Sequence, residues 1–274
     1  MEAYGPFILT GAVMSAMLNA GSNVLNQITE KALDAKAKPH RVLPRGLMKV
    51  STAIWYAAFL YASALVLAFR IEPVPGEHSA FWCAAAAATA TVLYFVKPFY
   101  LKSRGWWANV TIAVPRGCLL KVAGWACVAS VADIEPWFIG LIFMLFLLGA
   151  ATSKDFADMK ADNEAGVRTL PVIYGAEKAA RLAAPFFIFP WMLLAVGVLC
   201  PRPGGGHILL AGTLPTLGVS LALASYGFYV ARLMRKPSDT DLEGNHKAWK
   251  HMYILMMSAQ VGLLVCYFGQ EGMG

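Results

Sequence analysis

The sequence predicts an all-α, polytopic membrane protein, a bundle of about eight transmembrane helices. Of its 274 residues, 58% are hydrophobic and 14% are charged, and the mean hydropathy is +0.55. Soluble domains carry about 25% charged residues, so lipid must contact most of this surface. Transmembrane strands would alternate in hydrophobicity, which these long apolar runs do not. The length leaves little room for a soluble domain, so we expect residues 1–274 to form a single integral membrane domain.

Eight apolar runs along the chain are long enough to cross a bilayer. The predicted spans are 5–27, 51–70, 79–97, 107–130, 135–153, 180–200, 207–231 and 251–268.

The loops between these spans alternate in charge. Loops rich in Lys and Arg lie at 28–50, 98–106, 154–179 and 232–250. Under the positive-inside rule these four loops are cytoplasmic, which predicts a multi-pass protein of the cell inner membrane or an equivalent membrane. The net charge of +7 follows from these loops. They lack the interleaved aromatic residues of nucleic-acid binders, so membrane lipid is an expected partner and nucleic acid is not.

A first acidic set lies where the first span reaches the predicted cytoplasmic surface. Asn26, Glu30 and Asp34 are spaced i, i+4, i+8, which places them on one face of a helix over about two turns. Acidic side chains near a membrane interior are costly and usually functional.

A second acidic set lies at the same end of the fifth span. Asp155, Asp158 and Asp162 are spaced i, i+3, i+7, again on one helical face. Three carboxylates on one face repel one another unless a cation binds. Mg²⁺ prefers a few carboxylates together with waters and substrate phosphates, which suits a diphosphate site.

The competing interpretation is that each set is an ordinary solvated patch. Five of the chain's 16 acidic residues fall in these two short stretches, both at predicted cytoplasmic helix ends. This concentration favours a shared site in which the two sets face one another at the membrane surface.

Basic residues accompany both sets. Arginine can grip phosphate oxygens bidentately, and lysine supplies a point charge. The candidates outside the spans are Lys38, Arg41, Arg45, Lys102 and Arg168. Arg116 and Lys121 lie inside the apolar run 107–130, where a cation needs an anionic partner unless it snorkels to the surface.

Two stretches resemble the signatures of the UbiA-type intramembrane prenyltransferases. NQITEKALDAKAKPHRVLPRG is similar to the first signature, and KDFADMKADNEAGVRTLPVIYG is similar to the second. The chain also resembles a third stretch of the family pattern, at Tyr94, Lys102, Asn109 and Pro115-Arg116-Gly117. The resemblance covers most of the chain, and the two signatures together are highly specific.

The resemblance implies a helical bundle that transfers a prenyl group from a polyprenyl diphosphate to an acceptor, with Mg²⁺ as cofactor and two ions expected. By motif matching, the metal-holding residues would be Asn26, Glu30, Asp34, Asp155, Asp158 and Asp162, and the four aspartates among them would be catalytic. The residues implied for the diphosphate are Lys38, Arg41, Lys102 and Arg116. The residues expected around the prenyl group and acceptor are Tyr94, Asn109, Phe156 and Arg168.

Two departures from the family pattern bear on these expectations. Glu30 stands where the family usually has Asp, which keeps the charge but adds a methylene group. The family normally has nine spans, one of them before the first signature, whereas eight are predicted here. We expect either that this first helix is absent from the sequence or that the fold tolerates its absence.

The expected chemistry is ionisation of an allylic diphosphate, after which an acceptor carbon or oxygen attacks the carbocation. Tyr94, Phe95 and Phe156 could shield the cation, or they could be ordinary packing residues. We expect an aromatic or quinone-precursor acceptor. The alternatives are a non-aromatic hydroxyl of an ether-lipid or chlorophyllide-type acceptor, a non-catalytic isoprenoid-diphosphate-binding protein, and a cation transporter or channel. A transporter would spread ionisable residues through the membrane depth, whereas here they cluster at one surface.

Overall fold

The chain is all-helical throughout the part that the structure describes. The structure is a computed structural model that describes residues 4–202, 204–235 and 247–268. Within these ranges no strand occurs apart from an isolated bridge between Pro201 and His207. The predicted all-α fold class is confirmed. Residues 236–246 of the fourth basic loop lie outside the described part.

Thirteen α-helices follow one another along these residues. They are α1 (Gly5–Thr29), α2 (Lys31–Ala37), α3 (Val50–Phe69), α4 (Ser79–Phe95), α5 (Trp106–Ala113), α6 (Leu120–Trp125), α7 (Ile134–Ala150), α8 (Thr152–Glu164), α9 (Leu170–Tyr174), α10 (Ala176–Ala183), α11 (Phe189–Leu199), α12 (Thr213–Met234) and α13 (Lys247–Phe268).

Six helical runs are long and apolar enough to cross a membrane. They comprise α1, α3, the run from α7 to α8, the run from α10 to α11, α12 and α13. The shorter apolar helix α4 corresponds to the third predicted span. Large apolar side chains such as Trp55 and Leu214 are exposed on the outside of the bundle, as contact with lipid requires. The chain is therefore an integral, multi-pass membrane protein.

The fourth predicted span, 107–130, is broken rather than continuous. A π-helical turn at Val114–Leu119 separates α5 from α6. Pro115 lies in this turn and supplies no backbone N–H, which interrupts the regular hydrogen-bond pattern of a helix. Gly117 lets the turn approach α7 closely, since a Cβ atom there would lie 2.5 Å from the Met144 Cα. Arg116 therefore lies on an irregular turn and not on a regular helical face.

The main hydrophobic core lies between α7, α11, α12 and α13. Phe143, Phe146 and Trp191 are almost fully buried at its centre, with the Phe146 and Trp191 rings 4.9 Å apart. A second, smaller core contains Met14, Val122 and other residues of α1, α3, α4 and α6. These two cores leave a cavity of about 450 Å³ between them, lined by α1, α3, α4, α5, α6, α7 and α13.

Candidate active site

The first acidic set lies across the junction between α1 and α2. Asn26 is in the last turns of α1, Glu30 is the residue between the two helices, and Asp34 is in α2. The backbone hydrogen bonds from Glu30 to Asn26 and from Asp34 to Glu30 continue the i to i+4 pattern across the junction. The three side chains therefore stay on one side despite the break. The Asn26 amide donates to the Glu30 carboxylate at 2.8 Å.

The second acidic set lies on α8, which Ala151 alone separates from α7. Asp155 and Asp162 are 7% and 2% exposed, and Asp158 is partly exposed. Helix α8 thus extends the fifth predicted span and turns its carboxylates toward the first acidic set. The second set lies on one helix, as expected, whereas Glu30 of the first set lies at the junction between two helices.

Ion pairs join the two acidic sets. Lys38 binds Asp158 at 2.8 Å, which links the segment after α2 to α8. Arg41 binds Asp34 at 2.6 Å and also donates to the Asn26 side-chain oxygen at 3.3 Å. The structure therefore brings together two stretches that are more than 100 residues apart in sequence.

Lys102 is the central cation of this cluster. It pairs with Glu30 and lies 3.7 Å from Asp162, so one ammonium group contacts both acidic sets. Tyr100, with a left-handed φ of 39°, precedes the short 3-10 turn Leu101–Ser103 that carries Lys102 inward. Burial alone would lower the pKa of Lys102, but the Glu30 and Asp162 carboxylates outweigh this effect and raise the pKa above its ordinary value. Lys102 is therefore charged at neutral pH.

The cluster retains an excess of negative charge. Its acids are Glu30, Asp34, Asp155, Asp158 and Asp162, and the cations paired with them are Lys38, Arg41 and Lys102. Five carboxylates and three cations leave a formal charge of about −2 when all are ionised. Asp155 is buried, and no cation of the described residues lies within ion-pair distance of it, although Lys154 and Lys102 are near enough to act on its charge. A buried carboxylate without a cationic partner is costly.

The carboxylates of this cluster fit a hard divalent cation. They are all oxygen ligands, as Mg²⁺ prefers, and they carry the negative charge that such an ion would balance. Within the described residues no three His, Cys, Asp or Glu side chains already converge as a metal site, since the lysine and arginine side chains lie between the carboxylates. Four of the carboxylates that would hold the ion, Glu30, Asp34, Asp158 and Asp162, thus pair with the chain's own cations.

The structure gives two of the other predicted residues surroundings outside the acidic cluster. Arg116 hydrogen-bonds Asn19 at 3.4 Å on the cavity wall and makes no ion pair with either acidic set in the described part. Asn109 is buried and donates to the Leu148 carbonyl and the Thr152 hydroxyl, both at 2.8 Å. It therefore fixes the junction of α7 and α8.

Three further predicted residues are divided between core, surface and cavity. Phe156 is buried in the main hydrophobic core. The Arg168 side chain is exposed, while its backbone carbonyl accepts from the Gly105 N–H and its backbone N–H donates to the Ser103 hydroxyl oxygen. Tyr94 is buried, lines the cavity and lies close enough to Asp155 and Glu30 to interact with their charge.

The cavity begins beside the acidic sets and runs into the membrane. Lys154, next to Asp155, and Tyr94 line the end of the cavity that is nearest to the acidic sets. One wall is apolar and includes Leu147 and Met256, whereas the α1 wall carries polar side chains beside Met14 and Leu18. The polar α1 residues that line the cavity are Ser15, Asn19 and Ser22, on the same face as Asn26. This polar stripe was not predicted from the sequence, although its i, i+4, i+7 spacing from Ser15 is visible in the chain.

The cavity lies between two helices that are not closely packed on each other. Among the described elements, α1 packs on α3 and α4, and α13 packs on α12. Both α1 and α13 line the cavity. This arrangement leaves the side between them as the place where a lipid-soluble molecule could enter.

Comparison with known proteins identifies the class of enzyme. The sequence profile of the UbiA prenyltransferase family matches residues 3–256. The chain belongs to this family, whose members are prenyltransferases, and it is therefore a membrane prenyltransferase.

Two curated relatives align over most of the chain. It is 28% identical over 258 residues to the bacteriochlorophyll synthase 34 kDa chain of Chloroflexus aurantiacus, covering 93% of this chain and 78% of that protein. It is also 28% identical over 249 residues to the digeranylgeranylglyceryl phosphate synthase of Thermococcus kodakarensis, covering 90% and 80%.

Solved structures share the fold. A UbiA homolog from Archaeoglobus fulgidus bound to DMAPP and Mg²⁺ superposes with a TM-score of 0.72 at 17% identity, covering 96% of this chain and 88% of that chain. A structure of digeranylgeranylglyceryl phosphate synthase gives a TM-score of 0.66 at 23% identity, covering 94% and 84%.

Replacing Lys102 tests the ion-pair cluster. Lys102→Met leaves Glu30 and Asp162 buried without their shared cation, so we expect a loss of about 3 kcal/mol in the free energy of unfolding. The pKa of Lys102 is raised in the folded chain. Its contribution to the free energy of unfolding is therefore fully present at neutral pH and is lost only as the pH rises through that raised pKa.

Thermal unfolding in detergent provides the measurement, with Lys160→Met on the exposed side of α8 as the matched control. The double variant Lys102→Met/Glu30→Gln should recover part of the loss, because one of the unpaired carboxylates is then neutral. Equal melting temperatures for Lys102→Met and Lys160→Met would contradict the proposed coupling.

Proposed function

We propose that the chain catalyses Mg²⁺-dependent transfer of a prenyl group from an allylic polyprenyl diphosphate to a lipophilic acceptor within the membrane. The observation that carries the proposal is the position of the two acidic sets. They are joined by Lys38 and Lys102 directly beside a cavity with an apolar wall. A diphosphate head group needs the charged cluster, and a prenyl tail needs the cavity.

The Archaeoglobus fulgidus homologs support this choice of ligand. One is described as bound to DMAPP and Mg²⁺ and another to GPP and Mg²⁺, and both share the fold of this chain. In this chain, Asn26, Glu30, Asp34, Asp155, Asp158 and Asp162 would hold the metal, and two ions would match the two acidic sets. When bound, Mg²⁺ would neutralise the negative charge that develops on the leaving diphosphate.

Three basic residues of the cluster would bind and orient the diphosphate. Lys38, Arg41 and Lys102 already lie within contact distance of the acidic sets, where phosphate oxygens would compete for them. Arg41 offers two or more parallel donors, whereas each lysine offers a single charge. Arg116, on the cavity wall, is better placed to face the acceptor than the diphosphate.

The cavity would hold the reacting groups away from water. The bond between the first prenyl carbon and the diphosphate breaks, and its electron pair stays on the diphosphate. A lone pair of the acceptor oxygen forms the new carbon–oxygen bond, and the acceptor proton passes to the released diphosphate or to solvent. Tyr94, buried between the carboxylates and the cavity, presents its ring where an allylic cation would form.

For the acceptor we propose a lipophilic molecule that reacts through oxygen. The two relatives compared above are named for bacteriochlorophyll and for digeranylgeranylglyceryl phosphate, and neither name refers to a quinone. The polar wall of the cavity, with Asn19, Tyr61, Thr91 and Arg116, could orient a hydroxyl-bearing head group. This proposal favours the non-aromatic alternative over the aromatic acceptor expected from the sequence.

We also propose that the acid-bearing end of the bundle faces the cytoplasm. The basic loops at 28–50, 98–106 and 154–179 all adjoin the acidic cluster. The positive-inside rule places such loops on the cytoplasmic side.

Removing single carboxylates tests the proposed reaction. We expect Asp155→Ala and Asp34→Ala each to lower kcat/KM for prenyl transfer on the order of 10²-fold to 10³-fold, because each removes a preorganised charge from the site. Glu164→Ala, an exposed acid on the same helix as Asp155, should keep its activity.

The measurement is Mg²⁺-dependent transfer of label from geranylgeranyl diphosphate in lipid nanodiscs. Retained transfer in both aspartate variants would refute the assigned site. Mg²⁺-dependent binding without turnover on any acceptor would indicate a non-catalytic diphosphate-binding protein.

A panel of acceptors tests the proposed oxygen nucleophile. We expect transfer to a lipophilic glyceryl phosphate ether with a free hydroxyl, or to a chlorophyllide, at a higher kcat/KM than to hydroxybenzoate or homogentisate. The reason is that the first two can use both the polar wall and the apolar wall of the cavity. Product mass spectra decide the question, and a preference for the aromatic acids would restore the aromatic expectation.

A further inference from the structure

The polar wall of the cavity contains a buried hydroxyl group without a partner. Tyr61 on α3 lines the cavity, and its hydroxyl oxygen is shielded from solvent. Among the described residues this oxygen has no hydrogen-bond partner. Thr91 lies near it, yet the Thr91 hydroxyl donates to the Ala87 carbonyl at 3.0 Å. A buried polar group that is left unpaired costs free energy, so the Tyr61 hydroxyl indicates a ligand that supplies the missing hydrogen bond.

The packing of two helices fixes the position of the Tyr61 ring. Helix α1 packs on α3, and Gly21 on α1 leaves room for the ring. A Cβ atom at Gly21 would lie 3.1 Å from the Tyr61 Cε2 atom, which is closer than an ordinary van der Waals contact. The α1 backbone therefore holds the ring in place on the cavity wall.

Arg116 supplies a positive charge beside this hydroxyl. It also lines the cavity, and it lies close enough to Tyr61 for its charge to act on the phenol. Its guanidinium makes one long hydrogen bond, to the Asn19 side-chain oxygen at 3.4 Å, and no ion pair in the described part of the chain. Most of its N–H donors are therefore unused. A cation within an apolar span needs an anionic partner, and this part of the chain supplies none.

The charges on the cavity wall favour an anion. The wall carries Arg116, Lys121 and Lys154, whereas no Asp or Glu among the described residues lines it. Lys154 lies next to Asp155 in the chain, and Lys121 donates to the Gln260 side-chain oxygen at 3.1 Å. Charges of one sign around a cavity with low-dielectric walls attract ligands of the opposite sign. Arg116 is thus the wall cation with donors to spare beside an unpaired hydroxyl.

The depth of Tyr61 and Arg116 suits the acceptor. Asn19, which contacts Arg116, precedes Asn26 of the first acidic set by seven residues on α1. Gly21, which contacts Tyr61, precedes Asn26 by five residues. At 1.5 Å per residue these separations are about 10 Å and about 8 Å. The acceptor oxygen must meet the first prenyl carbon beside the diphosphate, so an anionic group a few bonds from that oxygen would reach this depth.

We propose that Tyr61, Arg116 and Asn19 form a subsite for an anionic group of the acceptor, a phosphate or a carboxylate. This inference rests on the proposed function and names the acceptor class, a lipophilic molecule with an anionic group a few bonds from its nucleophilic oxygen. The anion receives parallel hydrogen bonds from Arg116 and a further one from the Tyr61 hydroxyl, while Asn19 orients the guanidinium. Bound in this way, the anion satisfies both the unpaired hydroxyl and the unpaired cation.

A neutral head group fits this subsite poorly. A methoxy group accepts a hydrogen bond from Tyr61 but leaves the Arg116 guanidinium desolvated without a counter-charge. We therefore expect the protein to bind anionic acceptors more tightly than neutral acceptors of the same shape.

The test compares three glyceryl ethers that share a geranylgeranyl chain and one free hydroxyl. Their remaining position carries a phosphate, a carboxylate or a methoxy group. Binding of each tritiated ether is measured on protein in nanodiscs that is loaded with Mg²⁺ and a thiodiphosphate analogue of the donor, with empty nanodiscs as background. The wild type should bind the better anionic ether on the order of 10²-fold more tightly than the methoxy ether, and the better anion identifies the group.

Two substitutions remove the donors of the subsite. Arg116→Gln should raise the Kd of the preferred anionic ether on the order of 10²-fold and leave the Kd of the methoxy ether unchanged. Tyr61→Phe keeps the ring beside Gly21 and should raise the Kd of the anionic ether on the order of tenfold. Both variants should keep the wild-type affinity for the donor analogue. Tyr56→Phe and Arg70→Gln, at exposed positions in α3 and at its C-terminal end, are matched controls that should bind all ligands as the wild type does.

Three results would count against the account. Equal binding of the three ethers to the wild type, or an unchanged preference in both Arg116→Gln and Tyr61→Phe, would overturn the anion subsite. Weaker binding of the donor analogue to Arg116→Gln, with the acceptor preference intact, would overturn it by returning Arg116 to the diphosphate. If Arg116→Gln does not fold, Tyr61→Phe alone decides. Absence of Mg²⁺-dependent binding of the donor analogue to the wild type would instead refute the proposed function.

Discussion

The structure depends on the balance of charge at one end of the bundle. Five carboxylates gather where helices emerge from the apolar region, and three cations of the chain offset part of their charge. Lys102 holds the two acidic sets together through Glu30 and Asp162. A cluster of this kind is costly to bury unless its remaining charge is met, and the proposed metal and diphosphate would meet it.

The helices around the cluster serve to place it. The left-handed turn at Tyr100 directs Lys102 inward, and Asn109 fixes the α7–α8 junction from which Asp155 projects. Close approach of the π-helical turn to α7 at Gly117 packs together two elements that both line the cavity. A site that binds a prenyl diphosphate needs charged side chains for the head group and an apolar wall for the tail, and the bundle provides both.

Local sequence patterns predicted the fold class and both acidic sets, because hydropathy and helical spacing are properties of short stretches. They could not predict which cation meets which acid, since Lys38 and Asp158 are 120 residues apart. The contact between Arg116 on the π-helical turn and Asn19 on α1 could not be predicted either, since these residues are 97 positions apart.

An experimental structure with Mn²⁺ in place of Mg²⁺ and a non-ionising thiodiphosphate analogue of the donor tests the central claim most directly. Anomalous scattering from the metal should lie between Asp34 and Asp155, with Lys38, Arg41 and Lys102 turned from the carboxylates toward phosphate oxygens. Metal and diphosphate bound elsewhere, with the Lys38–Asp158 and Lys102–Glu30 pairs intact, would contradict the account.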